Sequence, residues 1–535
     1  MVSLHNNSHY SMLRGIPSVS RIATKIKSLG HSAFPLTDQN GMYGFIDLSR
    51  ACKENNLKPI YGVKLTKSTS PEEYILVISR NPQGYKELCS LISSRQLNDE
   101  FSLEKALKDA SQNLFYLTPN PELLKINNIS NIYAEIKSSN ADILKNKHLY
   151  NFVQANSLNY ILTNPSYFLD SAEHILVKVL AAIRLRKTIE TLDPEDVVPE
   201  DYSLKSEKEL APWCSQYSDG VENAEKLIRE CGDGPELGHY KFPRFHLPAG
   251  EDAFSFLWRI TFNGFERKVK NPTQEQRDRL NYELEVIAEL NFIDYFLVVW
   301  DIVREAKTRG VQIIGRGSAA NSLVAYALDL VDLNPTEHDL YFERFLNRGR
   351  ISPPDVDLDF SWKERDEMIK YVFNKYGYHR VAMISTTVTF RARSAFRETA
   401  KAFGIPDMEI SKLSKFIPWT NAANLENITS LFPESKNLPF NSEPWKSIVS
   451  IASRLADAPR FLGIHPGGIV IAPEKITDHT AVQYSGNKGL GIIVTQPDMY
   501  SIEDLGLIKI DLLSQRSLGV LRDSLRKIKR RKKRP

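Results

Sequence analysis

The segment Pro354-Asp355-Val356-Asp357-Leu358-Asp359-Phe360 places three aspartates at alternate positions, separated by apolar residues. This alternation predicts a β-strand, in which residues i, i+2 and i+4 project from one face, roughly 7 Å apart for each step of two. Two unit charges at that distance repel by about 2 kcal/mol when the effective dielectric constant is about 20. The pattern therefore favours a bound cation, and carboxylate oxygens suit Mg²⁺ that also holds substrate phosphates. A solvated edge strand, charged against sheet-to-sheet pairing, would show the same pattern.

The composition is ordinary for a chain with several folded domains. The chain has 535 residues, of which 42% are hydrophobic and 25% are charged, so roughly three or four domains are expected. The net charge of +4 does not identify a nucleic-acid partner, although nine Lys or Arg lie between Arg522 and Arg534. The four cysteines lack metal-ligand spacing and favour a reducing compartment. No signal peptide and no apolar run of membrane-spanning length is present, so we predict a cytoplasmic protein without a membrane partner.

The predicted elements change character along the chain. Residues 1 to about 230 alternate between strands and helices, which favours an α/β domain. Residues 195–250 are rich in Pro, Gly and charge, and are typical of a connection. The chain then becomes helical, with helices predicted at about 274–290 and 293–309 and a short strand at 311–314. Residues 388–465 are predicted to be mostly helical. Strand-like runs return at 469–471, 492–494 and 507–511.

A glycine turn, Gly315-Arg316-Gly317-Ser318, follows the strand predicted at 311–314. A strand, a glycine turn and then a helix from about Ala319 would present free backbone N–H groups to an anion such as phosphate. Ser318 could cap this helix or donate to a phosphate oxygen, and Arg316 adds positive charge. A plain helix-entry turn is the simpler alternative, because no Lys follows the glycines as it does in the Walker pattern.

Further motifs accompany the glycine turn and the aspartate strand in a fixed order. They are Glu343-Arg344-Phe345-Leu346-Asn347, Tyr376-Gly377, Arg391-Ala392-Arg393-Ser394-Ala395-Phe396-Arg397, His465-Pro466-Gly467-Gly468-Ile469-Val470-Ile471 and Gly506-Leu507-Ile508-Lys509-Ile510-Asp511-Leu512-Leu513. Over nearly 200 residues the set resembles the palm of the bacterial replicative DNA polymerase III alpha subunit. Asn321 and the sequence Phe390-Arg391-Ala392-Arg393-Ser394-Ala395 resemble the error-prone branch of that family.

The resemblance implies an α/β and α+β multidomain fold. Residues 1–230 would form an α/β domain like the family's polymerase-and-histidinol-phosphatase domain. A nucleotidyltransferase-type palm would follow in two parts, 231–387 and 466–520. A helical thumb at 388–465 would be inserted between these parts, and 521–535 would be a basic tail.

The resemblance also implies the reaction, a Mg²⁺-dependent and DNA-templated addition of deoxynucleotides to a primer 3′-end. Asp355, Asp357 and Asp511 would bind two Mg²⁺ ions and, with Lys509, would be the catalytic residues. Asp359 keeps the period of the strand, but it would either support the ligands indirectly or be a solvated carboxylate at the strand end.

Nucleotide and DNA contacts are implied in the same way. The phosphate-binding set would be Gly315, Arg316, Gly317, Ser318 and Arg344. Three arginines would contact template or primer phosphates, although a solvated helix face explains them too; they are Arg391, Arg393 and Arg397. The implied partners are primer–template DNA, deoxynucleoside triphosphates, and other replisome subunits or a second chain that carries the fingers.

The first domain departs from the family pattern where some members bind metals. Asn7 follows His5 at the place of a second His, Gln39 replaces a His, and Lys64 replaces a Glu. The Asp and His expected after Asn164 are also missing. A multi-metal site requires those ligands, so we predict a supporting domain without metals. A 3′–5′ exonuclease or phosphoesterase in this domain is the weaker alternative.

The end of the sequence also departs from the family. Pro535 lies 24 positions after Asp511, whereas family members continue for several hundred residues that include the fingers. We therefore expect a truncated polymerase with impaired activity, whose basic tail is a frameshift or premature-stop scar, a solvated run or a non-specific DNA-binding segment. The main alternative is a non-catalytic DNA-binding remnant or one half of a split polymerase.

Overall fold

The computed structural model describes residues 3–126, 131–349, 353–486 and 491–532. Within these residues the chain forms two β-sheets, each packed against helices. None of the helices in these ranges is long and apolar enough to cross a lipid bilayer. The mixed α/β architecture predicted from the sequence is confirmed.

The first sheet lies in the N-terminal part, and its strands neighbour each other in chain order. The strands are β1 (Ala33–Leu36), β2 (Lys58–Thr66), β3 (Tyr74–Ser79), β4 (Leu114–Thr118), β5 (Ile132–Lys137) and β6 (Tyr160–Thr163). The helices are α1 (Val19–Ser28), α2 (Phe45–Asn55), α3 (Pro82–Leu97), α4 (Leu103–Lys108), α5 (Pro121–Leu124), α6 (Ile143–Ala155), α7 (His174–Leu185), α8 (Glu207–Gln216) and α9 (Ser218–Glu230).

Helices α8 and α9 occupy a segment that the sequence predicts to be a connection. A capping box between Ser206 and Glu209 starts α8, and this signal was hidden within a charged stretch. In α9, a Cβ on Gly220 would lie 2.7 Å from the ring of Tyr160, so the helix packs closely on β6. Both helices therefore belong to the first domain.

The second sheet carries the aspartate segment. Its strands are β7 (Ile313–Arg316), β8 (Asp357–Ser361), β9 (Val381–Thr389), β10 (Pro459–Ile471), β11 (Val482–Tyr484), β12 (Ile493–Asp498) and β13 (Lys509–Gln515). They are arranged in the order β11-β12-β9-β10-β13-β8-β7. The helices of this part are α10 (Ala253–Lys268), α11 (Gln274–Glu289), α12 (Ile293–Thr308), α13 (Leu323–Ala327), α14 (Arg365–Tyr376), α15 (Ala392–Ala402), α16 (Asp407–Ser414), α17 (Ile428–Leu431), α18 (Trp445–Ser453), α19 (Met499–Asp504) and α20 (Arg516–Lys532).

A helical insert, α15 to α18, lies between β9 and β10. Residues 459–464 of β10 pair antiparallel with the end of β9, so the last part of the segment predicted as thumb belongs to the sheet. The core of the insert continues into α7, where Val177 and Leu180 lie in one apolar cluster with Phe396 and Trp445. The insert is therefore anchored to both the second sheet and the first domain.

The first domain also contacts the edge of the second sheet that β11 and β12 form. The backbone N–H of Met42 donates to Gln496 at 2.9 Å, and the hydroxyl of Tyr43 donates to Gln483 at 2.6 Å. These side-chain contacts fix one sheet against the other.

The segment predicted as a basic tail is helical as far as Lys532, within α20, and its residues 533–535 lie outside the described residues. The start of α20 is attached to the sheet, because Leu518 is buried and Lys363 pairs with Asp523 at 2.5 Å. Arg522 forms a further ion pair with Glu364. The first half of α20 is therefore held against the sheet, whereas residues 524–529 of the basic stretch are exposed, so the alternatives for the basic tail stay open.

Candidate active site

The three predicted metal ligands converge at one end of the second sheet. Asp357 is the first residue of β8, and Asp511 lies opposite it in the parallel strand β13. Asp355 precedes β8 instead of lying in it, because the prolines directly before it cannot donate to a strand ladder. One carboxylate oxygen from each of the three residues lies within 4.8 Å of the others. Asp511 thus comes from a neighbouring strand of the same sheet.

One oxygen of the Asp511 carboxylate has no hydrogen-bond donor within the described residues. Oδ2 pairs with Lys509 Nζ at 2.9 Å, whereas Oδ1 is buried and receives none. His465 Nδ1 is 3.7 Å from Oδ1, but this nitrogen accepts the backbone N–H groups of Gly467 and Gly468, at 3.3 and 2.6 Å. An accepting nitrogen carries no proton to donate. The buried Oδ1 is therefore a free acceptor, as a cation ligand would be.

The charges in the cluster are only partly balanced. Burial, and then the neighbouring charge of Asp355, raise the pKa of Asp357. Burial lowers the pKa of Lys509, but its hydrogen bond to Asp511 and the nearby carboxylates outweigh that effect, so the pKa is raised overall. The net result is a site where close carboxylates repel one another, and an oxygen-rich site of this kind fits a hard divalent cation such as Mg²⁺.

Asp359 and Arg316 form a pair beside this cluster. Arg316 Nε lies 3.0 Å from Asp359 Oδ2, and its Nη2 lies 3.7 Å from Asp357 Oδ2. Gln515 also donates to Asp359 Oδ2, at 3.2 Å. Asp359 is therefore held by an arginine and an amide outside the group of three carboxylates, and Arg316 balances charge at the edge of that group.

Glycine is favoured at the two positions of the turn for different physical reasons. A Cβ on Gly315 would lie 1.8 Å from the carbonyl oxygen of Leu330, so only glycine fits there. Gly317 has a φ of +81°, which glycine adopts without the steric cost that other residues meet. A Cβ on Gly317 would lie 3.9 Å from Asp357 Oδ2. Gly315 thus permits packing of β7, and Gly317 turns the backbone beside the carboxylates.

The helix after the turn begins later than predicted. Residues Gly317–Asn321 form a 3-10 helix, and the five-residue helix α13 begins at Leu323. Ser322 caps α13 and donates to the buried carboxylate of Glu283 at 2.8 Å. Ser318 therefore caps no α-helix, and the predicted helix-terminal anion site is not formed at that residue. Sequence reasoning missed Glu283, whose only signal was an acid on the apolar face of α11.

Sequence reasoning also missed Tyr295 of α12. Its hydroxyl is fully buried beside the backbone of Val356, which directly precedes β8. Burial, followed by the charge of Asp355, raises the pKa of this phenol, and Asp511 and Asp357 act in the same direction. Tyr295 is thus a neutral polar group near the carboxylates, concealed in the sequence by an apolar helix.

The remaining predicted contact residues lie outside the carboxylate cluster. Arg344 is exposed on the short turn Phe342–Arg344 and forms no ion pair within the described ranges. The three arginines of the insert make contacts inside it: Arg391 with Asp457 at 3.2 Å, Arg393 with the carbonyl of Ile417 at 2.6 Å and Arg397 with Ser414 at 2.9 Å. Arg391 and Arg393 are exposed, and contact with DNA stays a prediction for all three.

The polar centre of the first domain has a different character. Glu135 accepts hydrogen bonds from Tyr74 at 2.5 Å and Thr163 at 2.9 Å, and it lies 2.8 Å from His5 Nδ1. Burial acts to raise the pKa of Glu135, but His5 and its other partners lower it to about 2. The carboxylate is therefore stabilised by protein donors.

Asp38 and Lys64 complete this centre. Asp38 accepts the backbone N–H of Ser8 at 2.7 Å and the hydroxyls of Ser8 and Ser11 at 2.8 and 2.7 Å. Lys64 Nζ donates to Tyr167 at 2.9 Å. The described residues bring three or more possible metal ligands together only at Asp355, Asp357 and Asp511. The donors around Glu135 and Asp38, with a lysine beside them, do not favour a metal ion here, and the supporting domain without metals stays a prediction.

Comparisons with known proteins agree with this division. A family model described as the bacterial DNA polymerase III alpha NTPase domain matches residues 255–514, and the PHP domain model matches residues 3–182. The error-prone DNA polymerase of Symbiobacterium thermophilum is 30% identical over 98% of this chain and 52% of its own length. The DNA polymerase III alpha subunits of Bacillus subtilis and Halalkalibacterium halodurans are 29% and 32% identical, over 97% and 99% of this chain and 49% of their own lengths. The chain thus spans about half the length of the curated relatives it matches, and the predicted resemblance is confirmed.

Proposed function

The chain belongs to the bacterial DNA polymerase III alpha family, and on that premise we propose that it carries the catalytic centre of a DNA-directed DNA polymerase. The supporting observation is the group of three carboxylates with the donor-free Oδ1 of Asp511. The reaction is the Mg²⁺-dependent addition of a deoxynucleotide to a primer 3′-end. Its proposed location is the cytoplasm, where bacterial DNA is replicated.

Asp355, Asp357 and Asp511 would hold two Mg²⁺ ions, which when bound lower the pKa of the primer 3′-hydroxyl and stabilise the leaving pyrophosphate. Lys509 holds Asp511 in place through the 2.9 Å ion pair and adds positive charge near the reacting phosphate. Arg316, oriented by Asp359, brings a guanidinium to the edge of the carboxylate group.

The triphosphate would lie against the glycine turn, with Gly315, Gly317 and Ser318 supplying close backbone and Arg344 supplying charge. Template or primer phosphates would contact the helical insert near Arg391, Arg393 and Arg397. The proposed partners are primer–template DNA and deoxynucleoside triphosphates. The fingers and contacts to other replisome subunits would come from a second chain or from sequence beyond this one.

Primer extension by the purified chain tests this function directly. A primed template is incubated with Mg²⁺ and all four deoxynucleotides, using the wild type, Asp357→Asn and the matched control Asp366→Asn, an exposed acid on α14. We expect extension by the wild type and the control, and a loss of at least about a hundredfold in Asp357→Asn.

Equal extension by Asp357→Asn and the wild type would contradict the metal-site assignment. DNA binding without extension by any of the three proteins would favour a DNA-binding remnant or one half of a split polymerase. In that case, restoration of extension by a polypeptide carrying the fingers would identify the split enzyme.

A further inference from the structure

A loop of the helical insert, residues 415–421, presents aromatic side chains to solvent beside several cations. Trp419 is 88% exposed, more than any other large apolar side chain in the described part of the chain, and Phe416 is 46% exposed. We propose that Trp419 stacks on an unpaired base of single-stranded DNA while the neighbouring cations bind the phosphates of that strand. This inference rests on the proposed function for its ligand, DNA, and adds an aromatic contact that lies outside the motifs described above.

Hydrogen bonds hold the loop on both sides of Trp419. Before it, the guanidinium of Arg393 donates to the carbonyl of Ile417 from Nε at 3.2 Å and from Nη2 at 2.6 Å, and the side chain of Ile417 is buried. After it, the backbone N–H of Ala392 donates to the carbonyl of Thr420 at 3.0 Å. The indole is therefore displayed by a fixed backbone, so a ligand that stacks on it does not have to order the loop first.

The start of the loop combines an aromatic face with a charge. The hydroxyl of Ser435 donates to the carbonyl of Phe416 at 2.8 Å, which fixes the backbone there. Lys415 Nζ lies 5.1 Å from the centre of the Phe416 ring. Proteins that bind single strands use this combination, in which aromatic faces stack on bases and cations follow the backbone.

The charge around the loop is positive. Arg393, Lys412 and Lys415 form no ion pair with the residues that the structure describes. Arg391 pairs with Asp457 at 3.2 Å, so this acid already has a cationic partner. Three cations beside the aromatic rings therefore remain uncompensated, and phosphate groups would complement them.

Acids on the neighbouring elements do not cancel this charge. Both acids of α16 lie in its first turn, at the end away from the loop, whereas Lys412 lies in its last turn. Glu434 precedes Ser435 on the turn that contacts Phe416, but Lys436 follows it. That turn therefore adds no net charge.

The exposed indole selects single-stranded over double-stranded DNA. In a duplex, a base would first have to leave its stack and its pair, at a cost in free energy. In a single strand the base faces are accessible, and stacking on an aromatic side chain tolerates any sequence. The ligand that fits the loop is thus a strand with unpaired bases, such as template that has not been copied.

Fluorescence anisotropy of labelled DNA measures binding by the full chain. The ligands are oligothymidylate, a blunt duplex, and an abasic strand of the same length, which keeps the phosphates and lacks the bases. The buffer contains EDTA, so no nucleotide is added and binding does not depend on the carboxylate cluster. The variants are Trp419→Ala, Trp419→Phe and the double variant Lys412→Met with Lys415→Met. The control is Met408→Ala, which removes another exposed apolar side chain of the insert.

We expect Trp419→Ala to bind oligothymidylate at least about fivefold more weakly than the wild type, and Trp419→Phe and Met408→Ala to bind it within about twofold. The abasic strand and the duplex should bind Trp419→Ala as they bind the wild type, because they offer phosphates without free base faces. This comparison also separates lost stacking from misfolding, since a misfolded variant would lose all three ligands. The lysine double variant should bind all three more weakly.

The proposal is overturned if the wild type does not bind oligothymidylate at micromolar concentration, or if Trp419→Ala binds it as tightly as the wild type, which would leave the indole to a protein partner. It is also overturned if Trp419→Ala loses as much affinity for the abasic strand, or if the lysine double variant binds every ligand unchanged. If the wild type binds as proposed but extends no primer, only the polymerase function is contradicted.

Discussion

Carboxylates of the two sheets differ most in what surrounds their oxygens. In the first domain, Glu135 and Asp38 are saturated by hydroxyl and backbone donors. In the second sheet, three carboxylates lie together and the buried Oδ1 of Asp511 receives no donor from the described residues. Unsatisfied buried acceptors are rare and require an explanation. The three clustered carboxylates therefore differ from Glu135 and Asp38 in their proximity to one another and in the donor-free Oδ1 of Asp511, which Oδ1 of the neighbouring Asp359 resembles.

The largest expected difference is in stability. Glu135→Ala should lower the free energy of unfolding by about 3 to 5 kcal/mol, because it leaves buried donors and His5 without their partner. Asp357→Asn should leave the stability unchanged or slightly raised. Its pKa is raised by burial and by Asp355, so ionisation of this carboxyl is less favourable in the folded protein than in the unfolded chain.

Urea unfolding at pH 7 measures both variants against the wild type. If Asp357→Asn lowered the free energy of unfolding as much as Glu135→Ala, the carboxylates of both sheets would stabilise the fold alike, and the proposed difference between them would be wrong.

Divalent cations should stabilise the second sheet. Mg²⁺ that binds the folded chain but not the unfolded chain adds about 2.7 kcal/mol to the free energy of unfolding when its concentration is about a hundred times its dissociation constant. The stabilisation should be absent in Asp355→Asn, and it should remain in Asp359→Asn, whose carboxylate lies outside the group of three.

Thermal unfolding with and without Mg²⁺ measures this effect. If the Mg²⁺-dependent rise in melting temperature were lost only in Asp359→Asn, the cation would be assigned to Asp359 instead of the group of three carboxylates.

The smallest expected effect is a pH dependence from Lys64. Its pKa is lowered from 10.5 to about 8 in the folded chain, chiefly by burial. Between these values the unfolded chain binds more protons, so the contribution of Lys64 to stability rises with pH from about 8 to 10.5. Lys64→Met should remove that part of the slope.

The measurement is urea unfolding of both proteins between pH 7 and 10.5. Parallel curves for the wild type and Lys64→Met would show that the lysine is not desolvated.

Local signals predicted much of the fold around the site. The amphipathic pattern at 274–290 predicts α11 within a residue, and a capping box between Thr273 and Gln276 starts this helix in the structure. Gly310, a good residue to follow a helix end, predicts the end of α12, and it has a φ of +66°. The length of β10 was not predictable in this way. Its Gly467 and Gly468 disfavour strands, but β9 and β13 pair with β10 on its two sides and override that preference.

Tertiary contacts also determined the parts of the site that sequence reasoning missed. Ser318 and Ser322 are equally good caps in the sequence, and the buried Glu283 selects Ser322. The carboxylates were predicted because a short motif contains two of them and a second motif contains the third. Trp419 belongs to no motif, and only the folded chain shows that its loop lies against the start of α15, beside Arg393.

The antiparallel ribbon that holds the helical insert has a mechanical consequence. Strand β10 leaves the insert at Pro459 and reaches Gly468, which lies opposite Asp511 in the sheet. We expect a displacement of the insert to reach the third carboxylate along this strand. The register shift between Ile464 and Ile469 interrupts the ladder beside His465, whose ring leaves Oδ1 of Asp511 without a donor, and we expect the strand to bend there.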